Sequence, residues 1–377
     1  MKIVLTGGGT GGHFYPLIAV AEEIETIAGE KNIFPPELFF FAPAPYSDSE
    51  LFNHHISFVL IPGGKIRYYF SLKNISGMVT TLRGFFIALY QLFRIYPDVV
   101  FGKGGYGSFP TMLAARVLRI PVVIHESDSK PGRVNAWAGK FAQYVAVSYP
   151  TATQYFKADK VAWTGQPLRR QIVETHENAT EARKTFNLEE GIPTIVVLGG
   201  SQGSITVNDA LLDTLAILLE KYQVIHQAGV ANYDAVKNQS EVTLEKHAHK
   251  NRYHPFPYLS EDMIKKAYEA ADLVISRAGS TIFEIAIRSL PSIIIPIPER
   301  ISHDQRLNAY NYKKAGACSV IEEENLRPEI VSAEVNRILG HDEVKNAMIE
   351  GAKSFARKDA AKVIADGLIN IGLSHEK

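Results

Sequence analysis

The sequence predicts an α/β protein of two doubly wound domains facing a central cleft, and three observations carry the prediction. The chain has 377 residues, and domains of roughly 100–200 residues are the usual size, so two cores are expected. Short apolar runs alternate with helical patterns along its length. That alternation lapses once, in a charged stretch after residue 165, and then resumes.

The first set of runs is KIVLT (2–6), ELFFFA (37–42), SFVLIP (57–62), PDVVFG (97–102), PVVIHE (121–126), YVAVSY (144–149) and KVAWTG (160–165). Strands that are apolar on both faces need cover on both faces, which helix-length crossovers between parallel strands provide. The first crossover is well marked: Pro16 stands near its start, Leu17, Val20, Ala21, Ile24 and Ala28 share a face, and Gly29 ends it. The second set is TIVVLGG (194–200), YQVIHQAG (222–229), RYHPFPYL (252–259), LVISRAG (273–279) and SIIIPIP (292–298). Two Rossmann-like domains follow, over 1–165 and 166–344, joined near Trp163–Pro167. A final apolar pattern, Ala360, Ile364, Leu368 and Ile371, belongs to a C-terminal helical region of about 345–377 that can pack back on the first domain.

Composition narrows the function classes. Lys+Arg and Asp+Glu balance at 40 each, so nothing draws the whole chain to nucleic acid. The single cysteine, Cys318, has no disulfide partner and no metal-ligand spacing; it reads as a small buried hydrophobe in a reducing cytoplasm. No run reaches the ~18 uninterrupted apolar residues of a membrane-crossing helix. Between 66 and 96, however, Leu72, Ile75, Val79, Leu82 and Phe86 recur at helical spacing near Lys65, Arg67, Lys73 and Arg83. Such a basic amphipathic segment can rest on anionic lipid headgroups, its early part at the lipid and its later part buried.

The glycine-rich strand ends carry the chemistry. Gly7, Gly9 and Gly12 satisfy G-x-G-x-x-G, but a dinucleotide site also needs an acidic residue closing the second strand, and ELFFFAPAP ends on Ala42 and Pro43. The ATPase loop G-x-x-x-x-G-K-[ST] is missing too. Gly104-Gly105-Tyr106-Gly107-Ser108 follows the fourth run, and His125-Glu126-Ser127-Asp128 closes the fifth. With His13, three strand ends of one half therefore present backbone N–H groups, a phenol, imidazoles and carboxylates, a set suited to a pyrophosphate and a proton transfer. In the other half, Gly199-Gly200-Ser201-Gln202-Gly203-Ser204 can cradle a second pair of phosphates. Glu284, early in the helix after LVISRAG, can accept hydrogens from two ribose hydroxyls. One half reads as an acceptor site and the other as a nucleotide site.

Taken in order, GGGTGGHFYP, PDVVFGKGGYGSFP, PVVIHESD, VAWTGQPLR, GGSQGS, SRAGSTIFEIA and HDQRLNA resemble the MurG family of glycosyltransferases over most of the chain. These enzymes move N-acetylglucosamine from UDP-GlcNAc to lipid I, the undecaprenyl-pyrophosphoryl muramyl-pentapeptide, making lipid II for the cell wall, a step tied to cell shape and division. The resemblance implies a GT-B fold and an inverting transfer that forms a β1→4 bond with no obligatory metal or cofactor. It implies peripheral attachment at the cytoplasmic face of the bacterial inner membrane. The partners would be UDP-GlcNAc, lipid I, the anionic membrane surface and other cell-wall synthesis proteins, with no nucleic acid.

By matching position, His13, Tyr106, His125 and Glu126 are the catalytic candidates. Thr10, Gly11, Gly12, Arg169 and Asn208, with Ser201, Gln202 and Gly203 and with Glu284, Gln305 and Asn308, are donor-binding candidates. Gly9, Gly104, Gly105, Ser108 and Asp128 are assigned to the acceptor pyrophosphate. His13 leads as general base because an imidazole titrates near cytosolic pH; Glu126, oriented by His125, is the alternative. Two positions depart from the family pattern: Asp128, where many members have asparagine, adds negative charge near a pyrophosphate, and Asp304 stands beside Gln305. The rival readings are a GT-B enzyme with another acceptor, a UDP-GlcNAc epimerase, and a non-catalytic nucleotide- or NAD-binding module.

Overall fold

A computed structural model describes residues 1–65, 72–174, 178–200, 203–299 and 305–374, without the side chains of 72–74 and 174. Ser201, Gln202, Arg67 and Asp304 lie outside the described residues, as do the side chains of Leu72 and Lys73. Every apolar run expected to be a strand contains one. In chain order these are β1 (Lys2–Thr6), β2 (Glu37–Ala42), β3 (Ser57–Leu60), β4 (Val99–Gly102), β5 (Val122–Glu126), β6 (Tyr144–Val147) and β7 (Val161–Trp163). The second set is β8 (Thr194–Leu198), β9 (Gln223–Gln227), β10 (Tyr253–Phe256), β11 (Leu273–Ser276), β12 (Ser292–Ile294) and β13 (Cys318–Val320). Only β13 was not foreseen. It is a three-residue edge strand paired with β12, too short to show a period.

The chain divides into two compact units, Met1–Arg170 with Arg357–Lys377, and Gln171–Ala356. Unit 1 holds a parallel sheet of order β3-β2-β1-β4-β5-β6-β7, and unit 2 one of order β10-β9-β8-β11-β12-β13. In each, the first strand sits between its successor and a later strand on its other side: β1 between β2 and β4, β8 between β9 and β11. Strand order reverses there, and the loops leaving the two central strands diverge. The crevice at the carboxyl ends of β1 and β4, and of β8 and β11, is where such sheets bind ligands.

Burial explains the order. Unit 1 packs Leu17, Ile24, Phe101, Ile364 and Leu368 into one core with β1 and β2, so the C-terminal helix Ala360–Ser374 closes over the first helix, Gly11–Glu30. Gly372 lies at that contact against the Met1 side chain, whose Sδ would be 2.6 Å from a methyl group there. Unit 2 packs Ile195, Val197, Leu211, Leu215, Val224 and Ile275 in the same manner.

The helix Leu72–Ile95 turns small residues inward. Gly77, Gly84, Ala88 and Leu92 are buried, and a methyl group on Gly84 would collide with the Pro62 carbonyl. Its other side is an unbroken exposed apolar stripe: Ile75, Val79, Leu82, Phe86, Tyr90 and Phe93. The expectation that the later part of the helix is buried holds for one face only: Ala88 and Leu92 are buried there while Tyr90 and Phe93 are exposed. By length and composition alone Ile75–Ile95 could cross a membrane, but Arg83 interrupts it, so the expectation that no uninterrupted apolar run reaches that length stands.

Candidate functional site

In unit 1 the polar strand ends converge. After β1, glycines lead into the helix Gly11–Glu30, whose N-cap Thr10 makes no side-chain cap. Thr10 Oγ1 lies instead 2.8 Å from His13 Nδ1. The tautomer that donates Nδ1–H to Thr10 leaves the Nε2 lone pair free to accept a proton. Burial first, and the charge of Lys103 second, push the His13 pKa down to about 4, so the ring is neutral at cytosolic pH. Among the described residues, the N–H groups of Gly11 and Gly12 have no protein partner, as at any helix start open to an anion.

The loop after β4 comes against this ring. Gly104 and Gly105 hold φ of 83° and 79°, conformations that favour glycine. A methyl group on Gly105 would stand 3.0 Å from Gly8 Cα and 3.3 Å from His13 Nε2. Tyr106 brings its hydroxyl beside Gly9, 3.5 Å from where a methyl group there would lie, with Lys65 Nζ 5.2 Å from its ring centre. Ser108 is turned inward: its hydroxyl is buried and donates to Gly105 O at 2.9 Å, tying the loop.

The end of β5 supplies charge. Glu126 is buried, with Oε1 accepting from Asp128 N at 2.9 Å and Oε2 from Gly132 N and Asn135 Nδ2, both at 3.0 Å. Burial and the Asp128 carboxylate raise its pKa to about 7, against those hydrogen bonds and Lys103. His125 is fully buried, its Nε2 3.0 Å from Gly165 O. Burial and Lys103 hold its pKa well below the usual imidazole value. This corrects its catalytic assignment: a neutral ring sealed between β5 and the Gly165 turn cannot touch a substrate, and it braces the strand end instead.

Lys103 was not singled out from the sequence. It is 2% exposed, donates through Nζ to Ser127 Oγ, and burial lowers its pKa against the opposing pull of Glu126 and Asp128. Ser127 passes the contact on by donating to Gln166 Oε1 at 2.9 Å. The signal was a charged residue ending an apolar strand and flanked by glycines; what buries it, the β5 end, is remote in sequence. The Asp128 charge acts on this ammonium.

In unit 2 the loops after β8 and β11 flank the corresponding crevice. Gly203 has φ of 75° and packs so closely on β9 that a methyl group would overlap Ala228 O. Ser204 caps the helix Ile205–Leu218 by accepting from Val207 N at 3.4 Å, and Arg277 Nη2 donates to the same hydroxyl at 2.6 Å while pairing with Glu323 at 2.6 Å. Arg277 and Ser204 therefore join the β11 loop to the β8 loop, a link no spacing announces. Glu284 Oε2 accepts from buried Tyr268 Oη at 2.8 Å. Asn308 is buried and donates to Ala278 O at 3.2 Å, and Gln305 Oε1 accepts from Ile297 N at 3.3 Å.

Of the other donor-side candidates, Thr10, Gly11 and Gly12 lie in unit 1 beside the Gly104–Gly105 loop rather than in unit 2, and two more are engaged in packing. Asn208 is buried, donating to Ala228 O at 2.9 Å with its Oδ1 3.1 Å from His226 Nε2; both ends of its amide are engaged in holding helix to strand, which corrects its assignment as a substrate contact. Arg169 belongs to unit 1, its guanidinium 4.0 Å from the centre of the Tyr15 ring, a cation–π contact on the first helix.

Comparison with known proteins identifies the architecture. The Glycosyltransferase family 28 N-terminal domain matches residues 3–147 and the Glycosyltransferase family 28 C-terminal domain residues 194–364. A curated relative from Thermodesulfovibrio yellowstonii, named UDP-N-acetylglucosamine--N-acetylmuramyl-(pentapeptide) pyrophosphoryl-undecaprenol N-acetylglucosamine transferase, is 35% identical over 97% of this chain and 97% of its own. The chain belongs to the MurG family. A crystal structure of Acinetobacter baumannii MurG shares the fold with a TM-score of 0.74 at 24% identity, covering 98% of this chain and 99% of that one. A UDP-GlcNAc 2-epimerase from Neisseria meningitidis has a TM-score of 0.70 at 14% identity, covering 98% of this chain and all of that one, 100%. The GT-B fold alone does not separate the two; sequence identity places the chain in the MurG family.

Proposed function

We propose that this chain transfers N-acetylglucosamine from UDP-GlcNAc to the muramyl 4-hydroxyl of lipid I, giving lipid II. The observation that carries this reading is the 35% identity spanning nearly the whole of both chains, with polar loops at both switch points. Unit 1 takes the acceptor, whose pyrophosphate meets the open N–H groups of Gly11 and Gly12 and the Gly104–Gly105 loop. Unit 2 takes the nucleotide, its phosphates at the start of the helix Ile205–Leu218 and its ribose on Glu284.

In the transfer, the acceptor oxygen attacks the anomeric carbon as the bond to UDP breaks, UDP keeps the bonding electrons, and the hydroxyl proton moves to a base. His13 Nε2 is that base in our reading: the ring is half-exposed and neutral, and in the tautomer whose Nδ1–H donates to Thr10 Oγ1 the Nε2 lone pair is available. Glu126 is less suited because both its oxygens are occupied by N–H donors. Helix N-termini offset the charge gained by UDP, so we expect transfer to persist in EDTA.

We further propose that the chain works peripherally at the cytoplasmic membrane face. The exposed stripe from Ile75 to Phe93 would lie in the lipid interface beside exposed Lys65 and Arg83. Spanning the bilayer would tear Gly77, Gly84 and Ala88 from their packing, so lying on the surface is favoured.

The test is transfer of labelled N-acetylglucosamine to a short-chain lipid I analogue. Labelled lipid II is the expected product; transfer only to another acceptor, or release of epimerised sugar without transfer, overturns the reading.

A further inference from the structure

Parallel sheets are covered on both faces, yet one corner of unit 1 is left open. Between the C-terminal helix Ala360–Ser374 and strands β5, β6 and β7 lies a cavity of about 560 Å³, within the range of small-molecule sites. Its walls are apolar. Val123, Ala146 and Ile364 come from the unit 1 core, and exposed Ala162 and Val363 carry the wall out to the surface. Gly367 opens it from the helix side. Glycine in mid-helix weakens the helix relative to alanine, and here a methyl group would meet nothing within 4 Å. Packing therefore does not require the glycine; the space beside it does.

The cavity is polar at one end. The start of the helix lies beside the turn after β7, where a methyl group on Gly165 would stand 3.6 Å from Ala360 Cβ, and its end lies where Gly372 meets Met1, just before β1. The helix thus runs antiparallel to the strands. Gln143, Asp159 and Lys160, at the starts of β6 and β7, and Asn370 and Ser374, at the helix end, accordingly gather at one mouth. Lys160 is half-buried there, and its Nζ donates to Ala142 O at 3.1 Å. Among the described residues it enters no ion pair, and an ammonium has two further hydrogens to donate. Asp159 is exposed at the same mouth, where water and salt screen it. From Val363 to Ser374 the helix rises roughly 16 Å, so the slot is long and narrow, apolar along its length and cationic at its mouth.

We propose that this cavity binds a free single-chain carboxylate, a fatty acid, with its alkyl chain along Ala146, Ala162 and Gly367 and its carboxylate on Lys160. The site is separate from the crevice at the carboxyl ends of the strands. A lipid still seated in a bilayer is disfavoured as the source. Phe101 belongs to the core under the C-terminal helix, whereas the next residue, Gly102, lies against Met112 of the helix Phe109–Val117; successive strand residues face opposite sides. The helix Leu72–Ile95, which carries the exposed apolar stripe, packs through Gly84 on Pro110 of that second helix. Stripe and cavity therefore lie on opposite faces of the sheet.

The test is calorimetric titration of the full chain with dodecanoate below its micellar concentration, with dodecanol as the uncharged probe. Saturable binding at one site is expected for the wild type. Gly367→Leu puts a side chain into the open space and should weaken dodecanoate about tenfold or more. Lys160→Met should weaken dodecanoate about fivefold or more while leaving dodecanol within about twofold, because only the carboxylate uses the ammonium. The variant Val79→Ser with Leu82→Ser and Phe86→Ser should bind dodecanoate as the wild type does, since the stripe is not the site. The inference is overturned if no saturable binding is seen, if Gly367→Leu keeps wild-type affinity, if Lys160→Met weakens both probes equally or neither, or if the stripe variant loses the binding. Should Gly367→Leu not fold, Ala162→Leu on the edge strand replaces it: a comparable loss of dodecanoate affinity supports the proposal, and wild-type affinity refutes it.

Discussion

Gly105 and His13 are in contact across the switch point of unit 1, close enough that a single methyl group on the glycine would stand 3.3 Å from His13 Nε2. The nitrogen free to take a proton is thus walled by backbone from the neighbouring strand end, and its distance from the loop is fixed by the lack of a side chain. Gly105→Ala also places alanine at φ of 79°, where an L side chain is strained by about 1 kcal/mol or more. The expected outcome is loss of turnover by about a hundredfold, since small misplacements of a reacting group are that costly, with UDP-GlcNAc binding to unit 2 retained. Calorimetric titration with UDP beside the rate assay checks both halves of the statement.

The pH–rate profile separates the two base candidates. A general base works only when unprotonated, so activity falls on the acid side through its pKa in the free enzyme when kcat/KM is followed. With His13 as base the acid limb lies near pH 4; with Glu126 it lies near pH 7. We expect kcat/KM for the acceptor to be flat from about pH 6 to 8 as far as this group is concerned. A rise centred near 7 that vanishes in Glu126→Gln would transfer the role to Glu126.

Much of this was legible in the sequence and some was not, for identifiable reasons. Runs such as KIVLT and TIVVLGG could only be buried parallel strands, and the glycines after them marked the switch points. β13 escaped because Cys318–Val320 is three residues long and half exposed. Asn208 was read as a donor contact and His125 as a catalytic partner of Glu126 from their motifs; Asn208 instead stands in step with buried Leu211, Leu212 and Leu215, and the fold buries every residue of β5. Lys103 was invisible for the opposite reason. A lysine among glycines looks solvated, and only the fold brings Ser127 and the two acids to it.

Tyr268 should tune the donor site without touching the donor. Its hydroxyl, fully enclosed, donates to Glu284 Oε2 at 2.8 Å, and Glu284 is the residue proposed to hold the ribose. Tyr268→Phe removes one hydrogen bond to a charged group, worth about 1.5–3 kcal/mol where it is buried. KM for UDP-GlcNAc should rise about tenfold or more with kcat little changed. Glu284→Ala should raise it further, and combining the two should add little, because the tyrosine acts through the carboxylate. Additive losses in the double variant would detach Tyr268 from the donor site.

Histidine burial makes unit 2 sensitive to acid. His226 is enclosed between Tyr253 Oη at 2.8 Å and Asn208 Oδ1 at 3.1 Å, and burial pushes its pKa down to about 3 from an ordinary 6.5. Because the folded pKa lies below the unfolded one, the unfolded chain binds more protons throughout that interval. Stability is therefore complete above pH 6.5 and is lost progressively as pH falls toward 3. Urea midpoints for the wild type should drop across this window, and the drop should be shallower in His226→Gln, which keeps a neutral amide there. Equal slopes in the two proteins would remove His226 as the cause.

The apolar stripe of the helix Leu72–Ile95 separates membrane contact from folding. Val79, Leu82 and Phe86 are 64%, 57% and 58% exposed, so exchanging them for serine removes little buried surface and should leave the thermal midpoint within a few degrees. On a lipid surface the same atoms are worth about 25 cal/mol for each Å² withdrawn from water, so Val79→Ser with Leu82→Ser and Phe86→Ser should weaken sedimentation with anionic vesicles by about a hundredfold. Raising salt should weaken the wild type as well, through Lys65 and Arg83, and to a smaller degree, because the apolar part is not screened. If the triple variant sediments like the wild type at low salt, basic residues alone account for the attachment, and the stripe must be covered by something other than lipid.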